Sequence, residues 1–378
     1  MTNRVRVMQL TDTLDTGGYE RVAVNLGNVL PRNRYEPYLC TTRREGSLAH
    51  LVRRDVEWLK LNRRHRFDVG AVRRLVRFIQ VHKIELLHAH DSSLFIACLV
   101  SLFPPYPAVL WHVHFGEYAE TRGAIWSRRL IARLVAGIIV VNQPLLAWSR
   151  RRLGFPAERV WYIPNFVCVA EPNNDKRPIL PGTAGARIVC VANLRVQKDH
   201  LTLLRAMALV VQQVPAAHLL LVGGCPDEAY RDLLRKEIQR LGLDQSVSLL
   251  GERQDVSEIL LASDIGALSS KSEGLPLALL EYGMAKLPAV ATNVGQCSEV
   301  LDEGRAGILV PPGSQGQLAE ALVSLLESPH LRLSLGNVLF RRVRDRYSSG
   351  PIIEQVSRVY DLVLNRTRRT YRLPCHIQ

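Results

Sequence analysis

The sequence predicts an α/β protein with two doubly wound parallel sheets, and three observations support that fold class. The chain has 378 residues, well above the ~150 of an average domain. Apolar runs of strand length alternate with amphipathic helical stretches along the whole chain, which is typical of parallel sheets covered by helices. A segment with three prolines and no apolar period, residues 171–185, divides this alternation into two halves.

Each half contains its own series of predicted strands. In the first half they are residues 5–10, 38–42, 86–89, 108–114, 137–141 and 160–163, with helices such as 21–30 and 69–81 between them. In the second half they are residues 187–192, 219–222, 247–250, 265–268, 289–292 and 308–310, with helices at 201–213, 318–326 and 352–364. The two halves repeat an architecture without repeating a sequence.

These patterns predict the domain organisation. We expect an N-terminal domain over residues 1–170, a linker over residues 171–185 and a second domain over residues 186–346. Residues 347–378 should form a C-terminal helix and a basic tail, and a return of this helix to the N-terminal domain is one option.

The positive charge is concentrated in the first half. Of the net charge of +14, residues 1–170 carry +12, with 25 Lys and Arg against 13 Asp and Glu. Much of it comes in doublets such as Arg43-Arg44, Arg53-Arg54 and Arg128-Arg129. A face of this kind attracts anionic lipid headgroups, nucleic acid or an acidic acceptor, although an ordinary solvated basic surface explains the charge equally well.

The sequence predicts a cytoplasmic protein, with the inner face of the membrane as a second location. The seven cysteines are scattered without a CxxC pair, which suits a reducing compartment better than a disulfide framework or a zinc site. The first ten residues lack the continuous apolar core of a secretory signal. The longest apolar run, residues 94–102, is far shorter than the ~20 residues that cross a bilayer.

Functional residues are expected at the strand ends. Ligands of open α/β sheets bind beyond the carboxyl ends of the strands, and two such units facing each other would enclose a cleft. After the first strand, Gly17 and Gly18 open into a helix, where glycines let backbone N–H groups approach a phosphate or a sugar. The segment is not a GxGxxG fingerprint, which counts against an NAD enzyme.

Histidines end two of the predicted strands. His112 and His114 would share one face of their strand. A buried, hydrogen-bonded imidazole is the plain alternative for either of them, and we assign a function to His114 alone. His88 and His90 end a second strand, but the spacing supplies no third ligand for a metal ion. We interpret them as cleft lining or structure.

The second half places charged residues after two strands. Arg195 and Lys198 precede a helix N-terminus, where two cations can converge on a diphosphate, although surface side chains are the plain alternative for this spacing. Glu273 and Gly274 follow another strand, and Glu281 lies in the next helix among leucines. A carboxylate there is costly to bury without hydroxyl or amide partners, such as those of a ribose.

Taken together, these motifs resemble the retaining glycosyltransferases of family 4, whose GT-B fold has two Rossmann-like domains facing across a cleft. The resemblance runs over most of the chain. Its motifs are Gly17-Gly18-x-Glu-Arg, His114, Ile163-Pro164-Asn165, Arg195-x-x-Lys198, Gly251-x-Arg253-x-Asp255-Val256, the E-x7-E pair Glu273 and Glu281, Val294-Gly295, and residues 307–312. The chain departs from the family at Tyr282-Gly283, where Ala-Met is common, and at Asn293, where Asp is frequent.

The resemblance implies transfer of a hexose from a nucleotide-diphosphate sugar to a hydroxyl of a saccharide or lipid-linked acceptor, in cell-surface polysaccharide or glycolipid synthesis. Arg195 and Lys198 would hold the diphosphate and stabilise the leaving group. Glu273 would bind the transferred sugar, Glu281 the ribose, and His114 would contact the sugar near its anomeric carbon.

The resemblance also implies a wider set of donor contacts. They come from Gly274 and Leu275 beside the sugar or phosphate, Arg253 near the base, Gly17 and Gly18 near the phosphate or acceptor, and Asn165 at the domain border. No cofactor and no metal ion are expected, because Arg and Lys neutralise the charge that develops on the phosphate. The nucleotide sugar is a substrate.

Two other classes of function remain as alternatives. A nucleotide-sugar epimerase on the same scaffold would turn over the donor without an acceptor. A nucleic-acid-binding protein would suit the basic first half, but the chain has no RNP, zinc-finger or aromatic-stacking motif. We therefore expect no nucleic acid partner, and name an anionic membrane surface as the candidate partner of the basic face.

Overall fold

The computed structural model describes residues 4–15, 17–114, 134–168 and 178–371. Its contacts divide the chain into two units. The first is formed by the residues up to Asn165 together with those from Ser349 onward, and the second by the residues from Phe166 to Ser348. Each unit is built around a parallel β-sheet, so the predicted fold class of two Rossmann-like α/β domains is confirmed.

The first unit contains a seven-stranded sheet in the order β3-β2-β1-β4-β5-β6-β7, and every pairing in it is parallel. The strands are β1 (Val5–Thr11), β2 (Tyr35–Thr41), β3 (Glu57–Lys60), β4 (Leu86–His90), β5 (Ala108–Val113), β6 (Gly137–Val140) and β7 (Val160–Tyr162). Because helices cover both faces, the central strands β4 and β5 are buried along their whole length.

Four helices of the first unit precede residue 165 in the described chain. They are α1 (Gly18–Val29), α2 (Val69–His82), α3 (Leu94–Val100) and α4 (Gln143–Arg151). In α2 the buried side chains are Ala71, Leu75 and Ile79, spaced at four residues, so one stripe of the helix enters the core. The side chain of Asp68 caps this helix by accepting a hydrogen bond from the backbone N–H of Ala71.

The second unit contains a six-stranded parallel sheet in the order β10-β9-β8-β11-β12-β13. The strands are β8 (Arg187–Val191), β9 (His218–Val222), β10 (Val247–Gly251), β11 (Ile265–Leu268), β12 (Ala289–Thr292) and β13 (Ile308–Val310). The helices are α5 (His200–Gln213), α6 (Glu228–Arg240), α7 (Val256–Leu261), α8 (Leu277–Met284), α9 (Cys297–Val300), α10 (Gln315–Glu327) and α11 (Pro329–Tyr347). β8 and β11 are neighbours, so the loops that follow them leave the sheet side by side.

The last helix, α12 (Ser349–Tyr371), belongs to the first unit. Ile352, Val356 and Tyr360 are buried along one stripe of it. The ring of Tyr360 packs edge-on against Tyr35 of β2, with 5.7 Å between ring centroids, and α12 also contacts α1 and β5. The end of the chain therefore completes the core of the beginning.

The described strands coincide with the predicted ones, apart from shifts of one to three residues at their ends and the strand β3. β3 lies at the edge of its sheet, and its four residues are two apolar side chains between two charged ones, with none of them buried. An apolar run cannot reveal such a strand, because an edge strand needs little apolar surface.

Residues 178–185 of the predicted linker contact the second unit. Leu180 is buried, and the guanidinium of Arg187 donates hydrogen bonds to the backbone oxygens of Leu180, Pro181 and Gly182. Residues 171–177, the Arg128-Arg129 doublet and residues 372–378 with Cys375 lie outside the described residues. The sequence predicts a basic tail after residue 364, but α12 continues to Tyr371 and includes Arg366. In the described part of the chain, no helix combines the length and the apolar character that crossing a bilayer requires.

Candidate functional site

The second unit brings Lys198 and Glu273 into direct contact. The Nζ atom of Lys198 lies 2.5 Å from Oε1 of Glu273, and the Ser270 hydroxyl donates to the same oxygen over 2.5 Å. The Glu273 side chain is 7% exposed and that of Lys198 is 24% exposed. Two residues that are 75 positions apart thus form a half-buried ion pair, with the ammonium on the more open side.

The pair forms because the loops after β8 and β11 are bonded to each other along their length. The Lys271 backbone N–H donates to the Gln197 carbonyl oxygen (2.8 Å), and the Gln197 side-chain amide donates to the Ser272 carbonyl oxygen (3.0 Å). The Ser269 hydroxyl donates to the Lys198 carbonyl oxygen over 2.9 Å. Since backbone atoms make most of these contacts, the two loops hold each other in place before any ligand arrives.

The loop after β12 supports Glu273 from a third strand. Gly295 has a φ of 53°, and a Cβ atom there would lie 2.1 Å from the carbonyl oxygen of Glu273. The next residue, Gln296, donates its backbone N–H to the carbonyl oxygen of Gly274 over 3.0 Å. Only glycine fits this position, because it tolerates both the left-handed conformation and the close approach.

Gly274 itself borders open space. A Cβ atom added at Gly274 would have no described neighbour within 4 Å, whereas the side chain of the following Leu275 is buried. The backbone at these two positions therefore runs between the core and open space. That arrangement suits a backbone that approaches a ligand closely.

The other predicted residues of the second unit lie on the same edge of the sheet without joining the pair. The Arg195 side chain is exposed and forms no ion pair with a described residue. Glu281 lies on α8 and is partly buried, not enclosed as its leucine neighbours suggested. Arg253 follows β10 and binds its own neighbour Asp255, with contacts of 2.6 and 2.7 Å.

A buried tyrosine hydroxyl links the two strands, β8 and β11, whose loops carry Lys198 and Glu273. Tyr282 donates to the Ala267 carbonyl oxygen (3.1 Å) and accepts from the Val191 backbone N–H (2.9 Å), so it bridges β11 and β8. Burial first, then the nearby Cys190 thiol and the charges of Glu281 and Glu273, raise the pKa of this phenol well above its usual range. Tyr282 belongs to the Tyr282-Gly283 departure from the family pattern, and here its neutral hydroxyl links two neighbouring strands.

Residues of the first unit that the sequence singled out also come together. Gly17 directly precedes α1, and the ring of Tyr19 in that helix lies 6.1 Å from the ring of His114, centroid to centroid. His114 follows β5, is 8% exposed, and its Nδ1 atom lies 3.1 Å from Oδ1 of Asn165. Its backbone N–H donates to Oδ1 of Asp91 over 3.0 Å. Two strand ends and the start of α1 thus surround one imidazole.

Four histidines, together with Gln9, Tyr360 and Asn165, form a continuous series of hydrogen bonds in this unit, called the histidine chain below. Its members are Asn165, His114, His90, Gln9, Tyr360, His88 and His112, in that order. The contacts are His114 Nε2 to His90 Nδ1 (3.1 Å), His90 Nε2 to Gln9 Oε1 (3.0 Å), Gln9 Nε2 to the Tyr360 hydroxyl (3.1 Å), that hydroxyl to His88 Nδ1 (2.7 Å) and His88 Nε2 to His112 Nδ1 (3.1 Å). Only the far nitrogen of His112 has no hydrogen-bond partner among the described residues.

The side-chain nitrogens of His88, His90 and His112 lie within 4.8 Å of one another, which is close enough to share a metal ion. The hydrogen bonds account for this clustering in another way, because both ring nitrogens of His88 and of His90 already have partners. The rings of His88 and His90 are also stacked, with 4.7 Å between centroids and 14° between planes. A shared ion would have to lie in both ring planes, so the geometry favours the sequence interpretation of these residues as structure.

Burial keeps these imidazoles neutral. It lowers the pKa of His88 and of His114 to about 3, and it lowers the pKa of His90 and His112 well below the usual range. For His114, the hydrogen bond with Asn165 acts in the opposite direction but is the smaller effect. A neutral imidazole carries one N–H and one lone pair, so each contact in the chain needs one donor and one acceptor.

Sequence reasoning missed several residues of both sites. Ser270 is not among the predicted site residues, although a hydroxyl three residues before a carboxylate is a local signal of a side-chain contact. Gln9 and Tyr360 lie 351 positions apart, and each occupies an apolar pattern that predicts core. No local signal could have joined them.

The geometry defines a class of protein before any comparison is made. Two α/β units each place polar residues at the carboxyl ends of their parallel strands, and the second holds a cation and a carboxylate beside glycine backbone. Such an edge suits a ligand with phosphate and hydroxyl groups. It is the architecture of an enzyme with two Rossmann-like domains.

Two family models match the chain, one on each half. The model described as Glycosyltransferase Family 4 matches residues 16–171, and the model described as Glycosyl transferases group 1 matches residues 185–328. Together the two matches cover most of the chain. The chain belongs to the GT-B glycosyltransferases of the family 4 type, as the sequence motifs predicted.

Curated relatives are similar over part or most of this chain. N-acetyl-alpha-D-glucosaminyl L-malate synthase of Bacillus anthracis is 29% identical over 177 residues, which are 47% of this chain and 45% of that protein. The match thus spans less than half of that relative. UDP-Gal:alpha-D-GlcNAc-diphosphoundecaprenol alpha-1,3-galactosyltransferase of Escherichia coli is 22% identical over 315 residues, 79% of this chain and 80% of that protein.

Solved structures match the fold. The crystal structure of HepE from Anabaena in complex with UDP and glucose has a TM-score of 0.79 with 19% identity, and the match covers 95% of this chain and 100% of that one. At this level of identity the similarity shows the GT-B fold alone. The ligands of this chain must be inferred from its own residues.

Proposed function

We propose that this chain is a retaining glycosyltransferase that moves a sugar from a nucleotide-diphosphate donor to a hydroxyl of a saccharide or lipid-linked acceptor, without a metal ion. The observation that carries the proposal is the contact between Lys198 and Glu273 at adjacent strand ends, beside the open space at Gly274. A cation there can hold a phosphate, and a carboxylate can hold sugar hydroxyls.

The pair suits the charges of glycosyl transfer. Cleavage of a glycosyl–phosphate bond develops negative charge on the phosphate and positive charge on the sugar ring. Lys198, with Arg195 nearby in the same loop, would stabilise the first charge, which is the role of a preorganised electrostatic site. Glu273 would accept hydrogen bonds from the sugar hydroxyls, and Glu281 on α8 would do so from the ribose. With two cations on the diphosphate, the reaction needs no metal ion.

The relatives support the donor and the acceptor class. The Escherichia coli relative is named for a UDP-galactose donor and a diphosphoundecaprenol-linked acceptor, and HepE of Anabaena has been crystallised with UDP-glucose. A nucleotide-sugar donor and an acceptor in glycan or glycolipid synthesis therefore fit both the family and the residues.

The test is an assay of nucleotide diphosphate release, with donors chosen by a thermal-shift screen of UDP-, GDP- and ADP-sugars, since a bound donor raises the apparent stability. Release should depend on an added acceptor, continue in EDTA, and give a product with the anomeric configuration of the donor by NMR. Donor turnover that proceeds equally without an acceptor would support the epimerase. An inverted product or loss of activity in EDTA would contradict retention or metal independence.

We also propose that the first unit docks on an anionic membrane. The surface concerned, the α2–α3 surface, comprises the exposed parts of α2 and of the segments beside α2 and α3. Its basic members are Arg64, Arg66, Arg73 and Arg77, and its exposed apolar members are Phe67, Val69, Val81, Leu102, Phe103 and Tyr106. Phe67 packs edge-on against Phe95 at one end, and Gln80 donates to the Pro104 carbonyl oxygen at the other. Basic and apolar side chains on one surface are typical of a protein that lies on a membrane.

Vesicle sedimentation tests this docking. We expect binding to vesicles that contain anionic lipid, weaker binding at high salt, and little binding to neutral vesicles. The double variant Arg73→Glu, Arg77→Glu should lose most of the binding. Arg231→Glu, Arg235→Glu has the same spacing on α6 of the second unit and serves as the control. Equal, salt-insensitive binding to both vesicle types would contradict the proposal.

A further inference from the structure

The histidine chain leaves only certain proton positions open. In the orientation of the structure, Oε1 of Gln9 faces His90 and Oδ1 of Asn165 faces His114. Both oxygens are acceptors, so His90 must donate to Gln9 and then accept from His114. His114 would then need a proton on both ring nitrogens, one for His90 and one for Asn165. That state is the cation. Although the Asp91 carboxylate accepts a hydrogen bond from the His114 backbone N–H, burial lowers the pKa of His114 to about 3 and so disfavours the cation at neutral pH.

A half-turn of one amide removes the conflict. The oxygen and the nitrogen of an Asn or Gln amide exchange places in such a turn, and the surrounding hydrogen bonds decide between the two orientations. If Asn165 turns, His114 carries its proton on Nε2. If Gln9 turns instead, every hydrogen bond in the chain has the opposite direction to the one it has when Asn165 turns, and His114 carries its proton on Nδ1.

The far end of the chain selects between these two arrangements. When Asn165 turns, the free nitrogen of His112 is an N–H without an acceptor among the described residues. When Gln9 turns, it is a bare lone pair. A buried N–H without a partner is rarer and costlier than an under-used acceptor. The second arrangement is therefore the stable one, and in it all four histidines carry their proton on Nδ1.

We infer that Gln9 and Tyr360 act as positioning residues that fix His114 as a hydrogen-bond donor through Nδ1. The consequence for catalysis rests on the proposed glycosyl transfer. Nδ1 is the nitrogen that faces Asn165. Its N–H can therefore exchange the Asn165 oxygen for a hydroxyl oxygen of a bound sugar as its hydrogen-bond acceptor. Nε2 meanwhile stays bonded to His90. Tyr360 ties the arrangement to α12, because its hydroxyl accepts from His88 and donates to Gln9.

NMR of the protein labelled with ¹⁵N-histidine tests the arrangement without any substrate. The signals of His114 are identified by their loss in His114→Gln. We expect the ¹⁵N shifts of a protonated Nδ1 and an unprotonated Nε2 for His114 at neutral pH. A proton on Nε2, or shifts averaged between the two tautomers, would overturn the inference.

Tyr360→Phe tests the link to the last helix. It keeps the buried ring and removes the hydroxyl through which the chain runs, so the His114 shifts should move toward an average of the two tautomers. The kcat should fall roughly tenfold, the effect of one lost hydrogen bond, with the donor KM nearly unchanged. Tyr35→Phe removes a neighbouring buried hydroxyl outside the chain and should leave both readouts alone.

A second variant covers the case in which Tyr360→Phe does not fold. If Tyr360→Phe shows no cooperative unfolding transition, Gln9→Met replaces it, since it breaks the chain beside His90, and the same shifts are expected to move. Unchanged His114 shifts in the folded variant overturn the positioning role. A protonated Nδ1 in a protein that transfers no sugar would instead contradict the proposed function and leave the inference standing.

Discussion

The two parallel sheets place chemically different side chains at their carboxyl edges. In the first unit, the imidazoles of the histidine chain behind His114 are neutral and buried, beside the buried carboxylates of Asp91 and Asp12. In the second unit, the cation of Lys198 meets the carboxylate of Glu273 at a half-open loop. One edge orients a hydrogen bond, and the other holds charge ready for an anionic ligand. The comparison teaches that a shared fold leaves the electrostatic character of each edge to a few residues.

The largest expected effect comes from the charged edge. Lys198→Ala should lower kcat/KM about 10²- to 10³-fold, the usual loss when one preorganised donor to a developing negative charge is removed. Steady-state assay of nucleotide diphosphate release measures it. Lys236→Ala removes the same charge from the exposed face of α6 in the same unit and should leave the rate unchanged. Equal rates in the two variants would contradict the role of Lys198.

The neutral imidazoles of the histidine chain should make the first unit sensitive to acid. The folded pKa of its four buried histidines lies below the ordinary value of about 6.5. Their contribution to stability is complete above that pH, and it is lost as the pH falls toward 3, because the unfolded chain then binds more protons. Each such histidine should contribute about 1.4 kcal/mol per pH unit within that window.

Tryptophan fluorescence can follow the acid sensitivity of the first unit alone, since all five tryptophans precede residue 165. Unfolding monitored by fluorescence should shift to lower temperature between pH 7 and pH 5. His112→Gln removes one titrating group and should flatten this dependence. A fluorescence transition that is independent of pH would contradict the neutral state of the histidine chain.

An intermediate effect is expected at Gly295, which shapes the charged edge. Gly295→Ala should destabilise the second unit by roughly 1–3 kcal/mol and lower activity, because the new methyl group would displace the backbone of Glu273. Gly313→Ala is the matched control, since Gly313 also has a positive φ of 75° but has open space around it. Thermal unfolding of both variants separates the close contact from backbone strain. Equal losses would show that the contact has no effect of its own.

The smallest effect is expected at Arg253. Its pair with Asp255 is exposed to solvent, and such pairs contribute about 0.2–1 kcal/mol. Arg253→Ala should therefore change the unfolding free energy by less than about 1 kcal/mol. It should also alter the donor KM far less than Lys198→Ala alters the rate. Arg305→Ala, which breaks a similar pair with Asp302, is the control for stability. A loss of activity as large as that of Lys198→Ala would move Arg253 into the centre of the site.

The pair of Lys198 and Glu273 could be predicted from the sequence, and the histidine chain largely could not. Lys198 and Glu273 follow strands that apolar runs reveal, and the carboxyl ends of neighbouring parallel strands must meet. The histidine chain depends on Gln9 and Tyr360, whose contact spans 351 positions and follows from tertiary packing alone. The edge strand β3 escaped prediction for a related reason, because its neighbours make it a strand and its own residues do not.

The return of α12 makes the first unit discontinuous in the polypeptide. No single cut separates the two units into complete halves, since a fragment that ends at Asn165 lacks the helix that fills its own core. During synthesis, α12 is translated only after the whole second unit. The histidine chain can therefore form only once α12, which carries Tyr360, has been synthesised.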